Sequence, residues 1–373
     1  MLMHGTCPAF LVARVQAAAP ELSVVALLRL LVACEHLDLD VHAEATLRLI
    51  SLLDHPDCLE LRAEDCARVV GAAALLPDAP RRHDALVALI RRHAGAMASE
   101  DIGRTVLALA KYPAAMSDNL EAIRDLESRL SADEALQPAV LCNLAASCAL
   151  DTSDRMHERL PTLLTAASHR LARFSASDLE LLLYALAHTG SARPLRLVDR
   201  CVARLEVFAT ELLPRSIASV LWSLATLGAA PPASLLTLLS LRLADFLSAA
   251  RDTLVCLSIH QLSTCVWSFG VLNHRPLNLS AMVEVAARLS DRIGAEDCSR
   301  LLWAIARLDF DGAELVQARL RLRLFDRTVF VGVCLVLCAA GRGWSRLGVA
   351  RSSLLSTLDR LNRNRIVVDR VRA

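Results

Sequence analysis

The stretch SVLWSLATLG, residues 219–228, decides the fold of this chain, because close variants of it recur along the sequence. A Trp lies among apolar residues and precedes an Ala by three positions, so both fall on one side of a helix. TCVWSFGVLN (264–273) and RLLWAIARLD (300–309) repeat this arrangement. A short pattern that recurs at a nearly constant spacing is typical of proteins built from structural repeats.

The pattern can be followed over nine segments when they are aligned on the small residue three positions after the Trp. Successive Trp positions are 32 to 45 residues apart, about 38 on average, which is within the range of helical repeats. The residue just before the small one, which plays no part in the alignment, is apolar in every segment. The Trp positions are Leu30, Gly71, Leu107, Cys142, Tyr184, Trp222, Trp267, Trp303 and Leu335.

Signals for helix ends flank these segments. Ser or acidic residues precede the apolar stretch, as in SASD (175–178), and Gly or Pro follows it, as at Gly228. A second apolar stretch such as SLLTLLSLRLADFL (234–247) fills most periods, so each period predicts a helix–turn–helix unit. One unit cannot bury its apolar face alone, whereas stacked units can. We therefore predict an all-α fold, an α-solenoid of about nine repeats over residues 21–341, with the small residue at the helix contacts and the Trp packed beside it.

Composition supports this prediction and limits the class of partner. The chain is 54% hydrophobic but only 4% aromatic, which favours helices over strands. Its formal net charge is +1, yet the C-terminal segment, residues 342–373, contains eight Arg and two Asp, a local charge of +6. A basic segment on a mildly acidic body predicts contact with a polyanion such as RNA. A solvated helix end is the alternative interpretation of the same residues.

The cysteines and the termini bear on the compartment. Twelve Cys are scattered without a CxxC pair, and most lie in apolar stretches, so we expect small hydrophobic residues in a reducing compartment rather than disulfides. The longest apolar stretch, residues 329–341, has 13 residues, too few to span a bilayer, and we expect no membrane insertion. Residues 1–20 form an N-terminal extension without acidic residues, which is compatible with a mitochondrial targeting segment.

SVLWSLATLG and RLLWAIARLD are similar to the helix that characterises octotricopeptide and heptatricopeptide repeats, and that also occurs in repeat regions of FAST-kinase-like and RAP-domain proteins. The resemblance covers residues 175–312 and is fainter over 21–150 and 313–341. It implies an α-solenoid that acts on RNA in mitochondria, or in chloroplasts or other plastids, or that is built into organellar ribosomes. PPASL (231–235) lacks the Glu and Trp of the octotricopeptide proline-rich run, and the C-terminus does not match a RAP domain. These departures argue against a base-by-base RNA reader and against a nuclease.

Motifs of catalysis are absent from the sequence. It contains no P-loop, G-x-S-x-G, H-E-x-x-H or dinucleotide fingerprint. Acidic pairs such as Glu64–Asp65 and Glu296–Asp297 fall at predicted helix starts, where they complement the helix dipole. We therefore predict a protein without catalytic residues, metal, cofactor or small-molecule substrate.

A polar stripe on the pattern helix is the candidate ligand surface. Positions three before and four after the Trp lie on one helix face, with a small residue between them. Small residues flanked by cations can admit a phosphate backbone, although an ordinary solvated face has the same pattern. The cationic members of the stripe are Arg68, Arg104, Lys111, His188, Arg300 and Arg307. The C-terminal segment adds Arg342, Arg346, Arg351, Arg360, Arg363, Arg365, Arg370 and Arg372.

Together these features predict a non-enzymatic mitochondrial protein that binds RNA, as a structural component of the mitochondrial ribosome in contact with rRNA and neighbouring proteins. The nearly neutral net charge suits a subunit placed between proteins and RNA better than a free RNA-binding protein. The alternative is a protein–protein scaffold or assembly factor of an organellar membrane complex without RNA contact. Trp222, Trp267 and Trp303 are interpreted as packing residues rather than base-stacking platforms.

Overall fold

The computed structural model describes most of the chain between residues 22 and 308. The described ranges are 22–23, 26–30, 61–73, 83–111, 116–150, 155–189, 195–249, 257–288 and 293–308. These residues are mostly helical and include no strand, which confirms the predicted all-α class for this part of the chain. The N-terminal extension (1–20), the last predicted repeat around Leu335 and the C-terminal segment (342–373) lie outside the described residues.

The longer helices belong to two alternating sets. The odd-numbered helices carry the recurring pattern: α1 (Ala63–Ala73), α3 (Ser99–Ala110), α5 (Pro138–Leu150), α7 (Ala176–His188), α9 (Pro214–Leu227), α11 (Ile259–Val271) and α13 (Ala295–Arg307). The even-numbered helices lie between them: α2 (His83–His93), α4 (Met116–Ser128), α6 (Arg155–Arg170), α8 (Leu195–Phe208), α10 (Ala233–Ala249) and α12 (Leu279–Arg288). This alternation agrees with the helix–turn–helix unit predicted from the sequence.

The odd helices form a row. Each packs closely against the next odd helix, from the α1–α3 contact to the α11–α13 contact. Each even helix packs on the odd helix that precedes it, whereas successive even helices meet at few positions. The pattern helices therefore pack on one another, and the even helices form a looser second layer.

Local sequence sets two helix ends in the way predicted. Ser175 caps α7, because its hydroxyl accepts from the backbone N–H of Asp178 while the Asp178 carboxylate accepts from the backbone N–H of Ser175. Gly228 ends α9 with φ 62°, a left-handed conformation that glycine adopts without steric cost. At α3 Ala98 occupies the cap position without a side-chain hydrogen bond, and Ser99 is the first residue of the helix.

Buried apolar side chains run along the whole described row. One cluster extends from residues 26–30 to α5, and a second extends from α3 to residue 308. Helix α5 joins the two, because Val140 and Leu144 belong to the first cluster while Leu141 and Ala145 belong to the second. The core is therefore continuous from repeat to repeat.

Cysteines contribute to this core as small apolar residues. Cys66, Cys142, Cys201, Cys265 and Cys298 are buried free thiols. Burial raises the pKa of Cys66, Cys201 and Cys265 to about 12 and that of Cys298 to about 11. A thiol that stays protonated at neutral pH is a poor nucleophile and a poor metal ligand. The predicted packing role is confirmed for these five residues.

Candidate RNA-binding surface

The small residue of the pattern lies at a close approach between α11 and α13. A Cβ atom added to Gly270 would lie 3.1 Å from Cζ3 of Trp303, 3.2 Å from Cβ of Ala304 and 3.3 Å from Cα of Ala304. Gly270 therefore has no room for a side chain, because the interior is already close-packed there. The small residue lies at a helix contact here, as the sequence predicts, and the ring beside it belongs to Trp303 of the next helix in the row.

The Trp position is partly exposed from α7 onward, and the residue after it is buried. Half-buried rings occupy the Trp position of α7, α9, α11 and α13, namely Tyr184, Trp222, Trp267 and Trp303. The buried small residues that follow them are Ala185, Ser223, Ser268 and Ala304. Buried residues cannot contact a phosphate backbone, so the predicted groove of small residues is wrong at these helices. On these four helices the partly exposed residue is the aromatic ring at the Trp position.

Three of the predicted cations are paired with acids of their own helix. Each Arg follows a Glu by four residues and an Asp by three, a spacing that brings the side chains together on a helix. The groups are Arg68 with Glu64 and Asp65, Arg104 with Glu100 and Asp101, and Arg300 with Glu296 and Asp297. A phosphate would have to compete with two carboxylates for each of these guanidinium groups. This geometry argues against direct RNA contact by the three arginines.

Lys111 has a different environment. It follows α3, is exposed, and forms no salt bridge within the part of the chain that the structure describes. The surrounding protein lowers the pKa of Lys111 by desolvation and Arg215 lowers it further, whereas Glu180 raises it. Glu180 belongs to α7 and Arg215 to α9, so the Lys111 ammonium lies near helices further along the row. Lys111 is therefore exposed to water and also close to α7 and α9.

His188 belongs to an aromatic cluster between α7 and α9. Its ring centroid lies 4.3 Å from that of Tyr184 and 5.1 Å from that of Trp222, and the Tyr184 and Trp222 centroids are 5.8 Å apart. Nδ1 of His188 lies 2.9 Å from the backbone oxygen of Tyr184, an acceptor, so Nδ1 carries the proton in this bond. The three rings pack together and each keeps an exposed part.

Of the remaining predicted cations, the structure describes Arg307 but not those of the C-terminal segment. Arg307 is exposed at the end of α13. The arginines of the C-terminal segment lie outside the described residues, namely Arg342, Arg346, Arg351, Arg360, Arg363, Arg365, Arg370 and Arg372. Two of the predicted cationic residues, Lys111 and His188, therefore lie near both α7 and α9.

Sequence reasoning missed Arg215 as a member of this surface. Arg215 is exposed and lies seven residues before Trp222, on the same face of α9. It forms no salt bridge with any described residue. A signal was present in the sequence, because the aligned position is acidic in three other repeats, Glu64, Glu100 and Glu296, but basic in α9.

A polar cluster joins α11 to α13. Oδ1 of Asp297 accepts a hydrogen bond from Oγ of Ser263 at 2.6 Å and lies 2.9 Å from Nδ1 of His260. The hydrogen bond to Asp297 raises the pKa of His260 against the opposing effect of desolvation. Burial raises the pKa of Asp297, but the bonds from His260 and Ser263 outweigh burial and lower it. The imidazole does not bridge the serine and the aspartate, so the cluster is a link between helices rather than an activated nucleophile.

This link predicts a pH dependence of stability. His260, with its raised pKa, stabilises the fold fully below its unfolded pKa of about 6.5, and the contribution is lost as the pH rises through the folded value. Asp297, with its lowered pKa, contributes above about pH 3.9 and loses its effect as the pH falls through the folded value. We expect His260→Gln to reduce the difference in melting temperature between pH 5.5 and pH 8, measured by circular dichroism. His169→Gln, at an exposed histidine of α6, is the control, and an unchanged difference in His260→Gln would contradict the link.

Among the described residues there is no group of three or more His, Cys, Asp or Glu that is able to hold a metal ion. None of the described helices has the length and apolar character needed to cross a membrane. The odd helices from α7 onward expose part of the aromatic ring at the Trp position, and exposed cations such as Lys111 and Arg215 belong to the same row.

Comparison with known proteins adds no assignment. No protein-family model matches the chain, and no curated protein is significantly similar to it. The resemblance to octotricopeptide and heptatricopeptide repeats therefore stays a prediction. Any statement about function depends on the residues described above.

Proposed function

We propose that the chain is a curved α-solenoid of about nine repeats that binds RNA without catalysing a reaction. Its role in this proposal is that of a structural component of the mitochondrial ribosome, in contact with rRNA and with neighbouring proteins. The observation that carries the proposal is the row of odd helices, which presents rings and unpaired cations along one extended surface.

Two features support the curvature. The odd helices pack closely on one another while the even helices meet at few positions, so the odd row is the shorter, inner side. Lys111 of α3 also lies within electrostatic reach of Glu180 and Arg215, although α5 and α7 separate α3 from α9 in the row. Curved arrays of this kind bind macromolecules on their extended concave surfaces.

The distribution of charge supports RNA as the partner. The arginines of α1, α3 and α13 are paired with acids of their own helices, so they offer little positive charge to a polyanion. The C-terminal segment carries a local charge of +6 on a chain whose net charge is +1. Concentrated arginines recognise phosphates through bidentate hydrogen bonds and release counterions on binding. The acid-free residues 1–20 support a mitochondrial location.

The C-terminal arginines provide the test. We expect Arg360→Gln/Arg363→Gln/Arg365→Gln to weaken binding to a stem–loop RNA and to flatten its dependence on salt. Each lost phosphate contact should reduce the log–log slope by about 0.7–0.9. Fluorescence anisotropy of the labelled RNA at several salt concentrations measures both quantities in the full chain.

A matched control removes the same number of charges from the body. In Arg68→Gln/Arg104→Gln/Arg300→Gln the lost cations were held by acids, so affinity and slope should change little. If both triple variants weaken binding equally, net charge rather than the C-terminal segment governs the interaction. Absence of RNA binding by the unmodified chain would contradict the proposal and leave the protein scaffold as the interpretation.

A further inference from the structure

The exposed face of the odd row differs between its ends and its middle. In α1, α3 and α13 the position three before the Trp holds an arginine that acids of the same helix neutralise. In α7, α9 and α11 that position holds Leu181, Ser219 and Thr264, which carry no charge. At this position the middle helices therefore lack the charged groups found in α1, α3 and α13.

Aromatic rings form the exposed centre of this middle region. Tyr184 and His188 are one helical turn apart on α7, and Trp222 lies beside them on α9. Tyr184 and Trp222 are partly buried on the core and partly exposed. The packing role expected of Trp222 therefore leaves part of its ring in contact with solvent. A ring fixed in this way loses little conformational entropy when a flat ligand stacks on it.

Two cations belong to the same region of the row. Arg215 lies two helical turns before Trp222 on the same face of α9, and Lys111, which follows α3, lies within electrostatic reach of Arg215 and of Glu180 on α7. Both are exposed, and neither has a salt-bridge partner among the residues described. Glu180 is an acidic residue within electrostatic reach of Lys111, and Arg215 is a basic one.

We propose that this middle region is a binding site for single-stranded RNA, in which Tyr184 and Trp222 stack on unpaired bases while Lys111 and Arg215 contact the phosphates. The inference rests on the proposed RNA-binding function and specifies the face and the form of RNA. Aromatic platforms flanked by cations are how proteins hold single strands, because every base offers a flat face for stacking. In a duplex those faces are covered by neighbouring base pairs, and only the ends of the helix expose them.

The test uses the full chain with a 12-nucleotide oligouridine and with a 12-base-pair RNA duplex. Trp222→Leu keeps an apolar side chain over the core but removes the stacking surface, and we expect it to weaken oligouridine binding about 10-fold. Lys111→Gln/Arg215→Gln should also weaken it and should lower the log–log salt slope by roughly 1.4, about 0.7 for each contact. Both lysine and arginine are exposed, so this second variant remains informative if Trp222→Leu fails to fold.

Arg104→Gln/Arg300→Gln is the matched control, because it removes two cations that their own helices already neutralise. It should change oligouridine affinity less than about twofold. Binding of the duplex as tightly as the oligouridine would overturn the inference. So would an oligouridine affinity that changes as little in Trp222→Leu and Lys111→Gln/Arg215→Gln as in this control. In either case RNA binding through the C-terminal segment would stand. If neither RNA binds, the proposed function fails and this inference fails with it.

Discussion

Phe269→Ala is expected to lower the free energy of unfolding by about 3–5 kcal/mol. Phe269 is completely buried in α11, which packs against both α9 and α13, so its loss leaves a cavity at the junction of three repeats. Chemical denaturation followed by circular dichroism measures the change. Leu277→Ala is the control, because this leucine is 80% exposed and its truncation should cost less than about 0.5 kcal/mol. Equal costs for the two variants would show that α11 does not pack between its neighbours.

Gly270→Leu is expected to destabilise the protein by about 1–3 kcal/mol through overpacking. Its side chain would have to displace Trp303 and the backbone of Ala304. Gly71→Leu introduces the same side chain in α1, where no described atom lies within 4 Å of the added Cβ. The control should be neutral or stabilising by up to about 1 kcal/mol, because leucine favours a helix more than glycine does. The same sign and size at both positions would contradict the close approach of α11 and α13.

The sequence was sufficient for the local features of the fold. The recurring pattern identified the odd helices because apolar periodicity is set by the helix itself, and Ser175 and Gly228 mark ends through their own backbone chemistry. Each of these inferences depends on neighbours along the chain. The pattern also predicted a helix contact at the small residue, but the position of Trp303 beside Gly270 depends on how α11 and α13 pack.

The candidate surface was predicted less well. The pairing of Arg68 with Glu64 is an i, i+4 contact that the sequence spacing already indicates. From the sequence, Glu64 is instead interpreted as stabilising the helix dipole and Arg68 as a phosphate-binding residue. The burial of Ser223 and Ser268 depends on which side of each helix faces the row, which the stripe alone does not fix. The proximity of Lys111 to Arg215 depends on how helices distant in the sequence are arranged, a long-range property.

RNA association in the cell is the central claim, and native purification of the tagged full chain tests it most directly. The co-purifying RNA is sequenced and the co-purifying proteins are identified by mass spectrometry, before and after ribonuclease treatment. The account predicts enrichment of mitochondrial rRNA together with ribosomal proteins, with the rRNA lost after ribonuclease. Recovery of a defined set of membrane-complex proteins without enriched RNA, unchanged by ribonuclease, would contradict it.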